Sequence, residues 1–160
     1  SREFIRFLNA PKLAGETFEL ATDIKDDKTR MKFCKAGWQF RSPHELSVKY
    51  WDYRDYIQRS KGEFTVAKDQ YVRLNSGWFS DRSACYLAAG RPVITQETGF
   101  SEIYGNRGGL FGFEKLSEIP EAVREINGNY SHHSRRARVI AREIFEAEKV
   151  LSSLLDRAGI

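Results

Sequence analysis

Cysteine is scarce in this chain of 160 residues: Cys34 and Cys85 are the only two, and their spacing fits no zinc-binding pattern. That excludes a disulfide framework and a structural metal as sources of stability. The pair is expected to be buried free thiols in a reducing, cytoplasmic setting. Long apolar runs are also missing. Nothing approaches the ~20 residues of a transmembrane helix, and no signal-peptide pattern is legible. Histidine occurs three times, at His44, His132 and His133, with neither triad nor metal-ligand spacing. Gly105, Gly108, Gly109 and Gly112 do not form G-x-G-x-x-G between a strand and a helix, and no G-x-x-x-x-G-K-[ST] loop is present. No cofactor and no metal are therefore expected, and no catalytic residue is assigned.

What is present describes a packed α/β protein. Hydrophobic residues make up 41% and aromatics 13%, a globular and not a disordered composition. A single domain of this length buries about 70% of the surface its unfolded chain exposes. The net charge of +4 favours anionic partners in general. Basic residues are dispersed except at Arg135, Arg136 and Arg138, which share their segment with Glu143, Glu146 and Glu148. That mixture reads as a solvated helix face, so no nucleic-acid partner is expected.

One punctuation recurs four times: a helical segment, a glycine, then a short β-prone run. Gly15 precedes residues 16–22, Gly37 precedes Trp38-Gln39-Phe40, Gly62 precedes residues 63–67, and Gly90 precedes Val93-Ile94-Thr95. Helix-stopping glycines followed by strands mark βα units, which predicts parallel strands in one sheet with helices on both faces. Residues 109–113 supply a fifth short strand. Asp26 or Asp27 is placed to cap a helix reaching Ala36, and Ser42-Pro43-His44-Glu45 has capping-box spacing. A helix is expected over residues 2–13, and another after Ser117, ending at Asn127-Gly128-Asn129. From Ser131 a long tail carries Ala137, Ile140, Ala141, Ile144 and Phe145 on one apolar face, continued by Val150, Leu151, Leu154 and Leu155.

The densest information lies between Asn75 and Ile94. Gly77 frees the backbone, Ser80 suits the N-cap of a helix over residues 81–89, and Gly90 suits the turn that ends it. A helix start presents unpaired N–H groups and partial positive charge, which suits phosphate. Asp81 on the first turn opposes that use unless it pairs with Arg82. An ordinary loop and helix with an Asp81–Arg82 surface pair is the alternative.

This segment resembles the donor-binding half of nucleotide-sugar glycosyltransferases with the two-domain GT-B fold, over roughly residues 38–157. Asn75-Ser76-Gly77-Trp78-Phe79-Ser80 is similar to the His-Cys-Gly-Trp-Asn-Ser run of one large branch. Leu87-Ala88-Ala89-Gly90-Arg91-Pro92-Val93-Ile94 resembles the small-small-Gly-x-Pro-Val run that follows the phosphate-binding helix in many branches. Asn75 stands where that branch has histidine. Gly77 and Cys85 stand where retaining members carry two glutamates with seven residues between them.

The resemblance implies a Rossmann-like domain over residues 1–160 that binds a nucleotide-diphosphate sugar. It implies diphosphate contacts from Gly77, Trp78, Phe79, Ser80, Arg82 and Ser83, and base contacts near Trp38, Phe40, Arg41 and Ser42. Glu97, Thr98, Gly99 and Phe100 would face the donor sugar. Either Glu97 or Glu102 instead caps the next short helix, and Trp38 instead packs in the core. The partner it implies is an acceptor-binding N-terminal domain. The chain starts at Ser1, has Met31 as its only methionine and opens on a helix with no strand before it. The expectation is thus a piece of a larger glycosyltransferase, inactive by itself. The competing expectation is a non-catalytic Rossmann-like module for protein association, its phosphate loop degenerate.

Overall fold

Five short strands organise the chain, seen in a computed structural model that describes residues 2–159. The strands are β1 (Phe18–Ala21), β2 (Trp38–Arg41), β3 (Glu63–Thr65), β4 (Val93–Gln96) and β5 (Leu110–Phe113). β1 pairs with β2 in parallel, Phe18 opposite Trp38. β4 lies between β3 and β5, also in parallel, with Phe64 opposite Ile94 and Ile94 opposite Phe111. The expected single sheet is thus built as two ladders. Strands of three and four residues offer few ladder bonds. Aromatic contact joins the ladders instead: the Phe18 and Phe64 rings lie 5.0 Å apart.

Helices cover both faces. One face packs Phe18, Trp38, Phe64, Ile94 and Phe113 against α3 (Asp27–Lys35) and α9 (Glu118–Gly128), and against Phe7 and Ala10. Those two residues belong to the opening segment, where α1 (Arg2–Arg6) is followed by α2 (Ala10–Ala14). The single helix expected there breaks because Pro11 has no N–H to continue a ladder and instead opens a new first turn. The opposite face packs Val93 and Leu110 against α5 (Tyr50–Arg59), α7 (Asp81–Ala88), α8 (Phe100–Tyr104) and α10 (Tyr130–Ile144). Each fully buried Phe or Leu in these clusters contributes roughly 1.5–3 kcal/mol. Two short helices, α4 (Pro43–Ser47) and α6 (Asp69–Arg73), sit in the connections.

Local signals explain most boundaries. The Asp26 carboxylate accepts from the Thr29 N–H at 2.8 Å, and the Asn129 side chain accepts from the His132 N–H at 3.2 Å. The tail does not run on as one helix. Phe145 turns inward to stack on Phe79, centroids 5.4 Å apart and planes 11° apart, and the chain leaves α10 there to form α11 (Ala147–Ala158). Cys34 and Cys85 are free and exposed, not buried as expected. Phe33 and Ala36 take the inward face of α3, and Tyr86 with Leu87 that of α7, leaving each cysteine on the outward side. Among the described residues no helix is long and apolar enough to cross a membrane.

Candidate functional site

Parallel strands in an open α/β sheet collect loops at their carboxyl ends, where ligands are bound. Two groups of expected site residues meet that edge in different ways. The first surrounds the start of α7. Gly77 N–H donates to the Thr98 carbonyl at 2.6 Å, and the Thr98 hydroxyl donates to the Trp78 carbonyl at 2.6 Å. The expected diphosphate loop and sugar loop are therefore docked on each other. Glu97 Oε1 accepts from the N–H groups of Thr98 (3.0 Å), Gly99 (2.7 Å) and Ser101 (3.4 Å). Glu97 thus serves the start of α8, the capping alternative anticipated for it. Gly99 has φ 92°, a backbone conformation that strains any L side chain, and a Cβ there would also lie 2.7 Å from Asn75 Oδ1, which would have to move. Phe100 is fully buried, in contact with Phe79.

The polar groups at α7 are likewise turned inward. Ser80 is buried and makes no side-chain cap; its hydroxyl lies 3.5 Å from Asp81 Oδ1. That same carboxylate oxygen accepts from Arg82 N–H at 2.8 Å, so Asp81 occupies the helix start with its own negative charge. Arg82 does not pair with Asp81 through its guanidinium. It reaches β3, where Nε donates to Glu63 at 2.5 Å and Nη2 to the Thr65 hydroxyl at 2.8 Å. Burial opposes the Arg82 charge, but Glu63 outweighs it and the guanidinium pKa is raised. Glu63 keeps only 5% of its side chain exposed, and its Oε2 is buried with no partner. Ser83 is fully buried with an unpartnered hydroxyl, packed below the helix. Trp78 stacks on Tyr71, centroids 5.0 Å apart and planes 7° apart, while Phe79 joins Phe100, Tyr104 and Phe145.

The second group stays open. A cleft of about 330 Å³ lies at the carboxyl ends of β1 and β2, lined by Phe40, Arg41, Ser42, Pro43 and His44, with Thr22, Asp23 and Arg30 opposite. The Arg30 guanidinium sits 4.9 Å from the Phe40 ring centroid, a cation–π contact. Arg41 Nε donates to Glu19 at 2.8 Å, and Ser42 accepts from Glu45 N–H at 3.4 Å as the N-cap of α4. Trp38 is not in this cleft. It is buried, and its indole N–H donates to the Leu8 carbonyl at 2.7 Å, so the core alternative holds for it.

The sequence reading missed Arg30, which reaches the cleft from the preceding helix, and Glu63, the buried partner of Arg82. A legible signal existed for Glu63: an acidic residue inside the β-prone run Glu63-Phe64-Thr65. Among the described residues, no group of three or more His, Cys, Asp or Glu side chains is placed to hold a metal ion. No protein-family model matches this chain, and no curated protein matches it significantly.

Proposed function

We propose that this chain is the Rossmann-like, nucleotide-diphosphate-sugar-binding domain of a glycosyltransferase that acts together with an acceptor-binding domain. The observation that carries the reading is the open cleft at the ends of β1 and β2. Its volume suits a nucleoside-sized ligand. Phe40 and Pro43 offer an apolar wall for a base, and Arg30 offers the cation a diphosphate needs. The sugar end would then extend along the carboxyl edge toward the loops at residues 77–80 and 97–100. Supporting it further are the parallel strands with helices on both faces and the run of residues 75–94 that resembles the family. Calorimetric titration with uridine, guanosine and thymidine diphosphates tests the reading. Binding of one of them, weakened by Arg30→Ala, is expected; absence of binding by all three overturns it.

A second reading has its own observation. At the α7 start Asp81 takes the Arg82 N–H and Glu63 takes the Arg82 guanidinium, and at the neighbouring α8 start Glu97 takes the Gly99 N–H, so these charges are answered within the chain. That arrangement favours a non-catalytic module for protein association. It is the reading left standing if no nucleotide binds.

A further inference from the structure

Residues 105–109 join α8 to β5, and they lie along α10 closer than a side chain would permit. A Cβ at Gly109 would stand 2.6 Å from the Ala137 nitrogen and 2.8 Å from the His133 carbonyl oxygen, both backbone atoms of α10. Hydrogen bonds hold the segment on three sides. Asn106 Oδ1 accepts from the Gly112 N–H at 3.1 Å, and the Gly109 carbonyl accepts from the Val93 N–H at 3.0 Å. Arg107 donates to the Tyr104 carbonyl and to Glu143 on α10, each at 2.8 Å. The segment is therefore the far anchor of α8, whose start carries the Glu97 cap.

At its centre Gly108 lies between two imidazoles. A Cβ there would be 3.2 Å from His132 Nε2 and 3.3 Å from His133 Nδ1. His132 is exposed, whereas His133 is 4% exposed with its ring centroid 5.3 Å from that of Phe111. His133 Nδ1 is buried without a hydrogen-bond partner, and the Gly108 methylene it faces has no lone pair to offer. A neutral imidazole tolerates this, because Nδ1 is then its unprotonated nitrogen. The imidazolium would carry a charged N–H aimed at carbon. Burial holds the His133 pKa below the ordinary histidine value; Glu125 on α9 opposes that lowering, and His132 adds to it. From the segment itself comes Arg107, its charge tied to Glu143, while β5 presents the apolar Phe111.

We propose that residues 105–109 form an acid-released latch: protonation of His133 lifts the segment off α10 and frees α8 together with the loop at residues 97–100. Linkage fixes the sign. The closed latch prefers neutral His133, so closure is fully favourable above pH 6.5, the ordinary histidine value, and weakens as the pH falls below it. One proton allows at most about a tenfold change per pH unit. The latch is independent of the nucleotide reading.

Hydrogen exchange of the whole chain, corrected for the intrinsic pH dependence of amide exchange, reads the latch. Between pH 7.5 and 5.5 the amides of residues 100–112 should lose protection roughly three- to tenfold, and those of β1 and β2 less than about twofold. His133→Phe and His133→Leu, neither able to titrate, should each flatten that profile, and His132→Gln should leave it in place. In the unmodified chain the His133 imidazole, followed by NMR, should titrate with a midpoint below 6.5. A flat exchange profile in the unmodified chain overturns the proposal, as does a profile that the His133 variants retain. So does an equal loss of protection at β1 and β2, or a His133 midpoint at or above 6.5. If both His133 variants fail to fold, the unmodified profile and the NMR midpoint still decide it.

Discussion

The cleft at β1–β2 and the start of α7 both lie at carboxyl ends of parallel strands, yet they have opposite character. Around the starts of α7 and α8 the charged groups turn to partners inside the chain: Asp81 takes the Arg82 N–H, Glu63 takes the guanidinium, and Glu97 takes three N–H groups, while the unpartnered Ser83 hydroxyl is buried. At the cleft Arg30 lies against the Phe40 ring, and the walls leave about 330 Å³ between them. A helix N-terminus is an anion site only while nothing in the protein has answered its charge. Here a carboxylate one residue into the helix has answered it.

The sharpest contrast is between two arginine deletions. Arg82→Ala leaves the Glu63 carboxylate buried without its counter-charge. The expected loss is about 2–3 kcal/mol, below the ~3–5 kcal/mol of a fully buried pair because Arg82 keeps 46% of its side chain in solvent. Arg30→Ala removes a cation–π contact at the surface and should cost within about 1 kcal/mol. Urea unfolding of both variants decides the point, and equal losses would erase the distinction drawn here.

Nucleotide affinity should reverse that order. Loss of a charge-assisted bond, about 1.5–3 kcal/mol, gives Arg30→Ala a roughly ten- to hundredfold weaker nucleoside diphosphate complex. Arg82→Ala, read under conditions where it stays folded, should change affinity by less than about threefold. Were Arg82→Ala the more damaging of the two, the α7 start would be the phosphate site after all.

Gly99→Ala places a methyl against Asn75 at a positive φ, and an expected cost of about 1–3 kcal/mol follows from the strained backbone. At the open region the comparable local change, Ser42→Ala, loses only an N-cap bond, about 1 kcal/mol. Thermal melting of the pair measures how much more tightly the self-docked loops are constrained. A smaller loss from Gly99→Ala than from Ser42→Ala would contradict that ranking.

The Cys85 thiol reports the charge around α7. Burial first, then the Asp81 and Glu63 carboxylates, hold its pKa above the ordinary thiol value, so little thiolate forms near neutral pH. Asp81→Asn removes one of those charges, lowers the thiol pKa and should speed alkylation of Cys85 measurably at pH 8. An unchanged rate would mean that the Asp81 charge does not act on the Cys85 thiol. Smallest of all, Arg135→Ala on the exposed side of α10 should leave stability within about 0.5 kcal/mol and nucleotide affinity untouched.

Much of the secondary structure was legible because its signals are local. The glycines at positions 15, 37, 62 and 90 precede strands as expected, and the fifth strand forms at Leu110–Phe113. Ser117 and Asn127-Gly128-Asn129 bracket α9. The misses have separate causes. Ser80 was read as a cap from its type and position, but its neighbour Asp81 is a stronger acceptor at the same place. The tail was read as one amphipathic run, since periodicity does not report that Phe145 would turn toward Phe79, 66 positions away in the chain numbering of 79 and 145. The helix over residues 69–73 carried no pattern that distinguished it from loop.

Composition, glycine placement and hydrophobic periodicity were enough to imply an α/β chain with parallel strands, because turn geometry and amphipathic faces act over a few residues. Which polar groups remain available to a ligand is a different kind of question. It depends on where Glu63 lies relative to Arg82 and Arg30 relative to Phe40, pairs 19 and 10 positions apart by residue number. Only the packing of helices on strands brings such groups within bonding distance, and charge at that range is governed by its nearest partner.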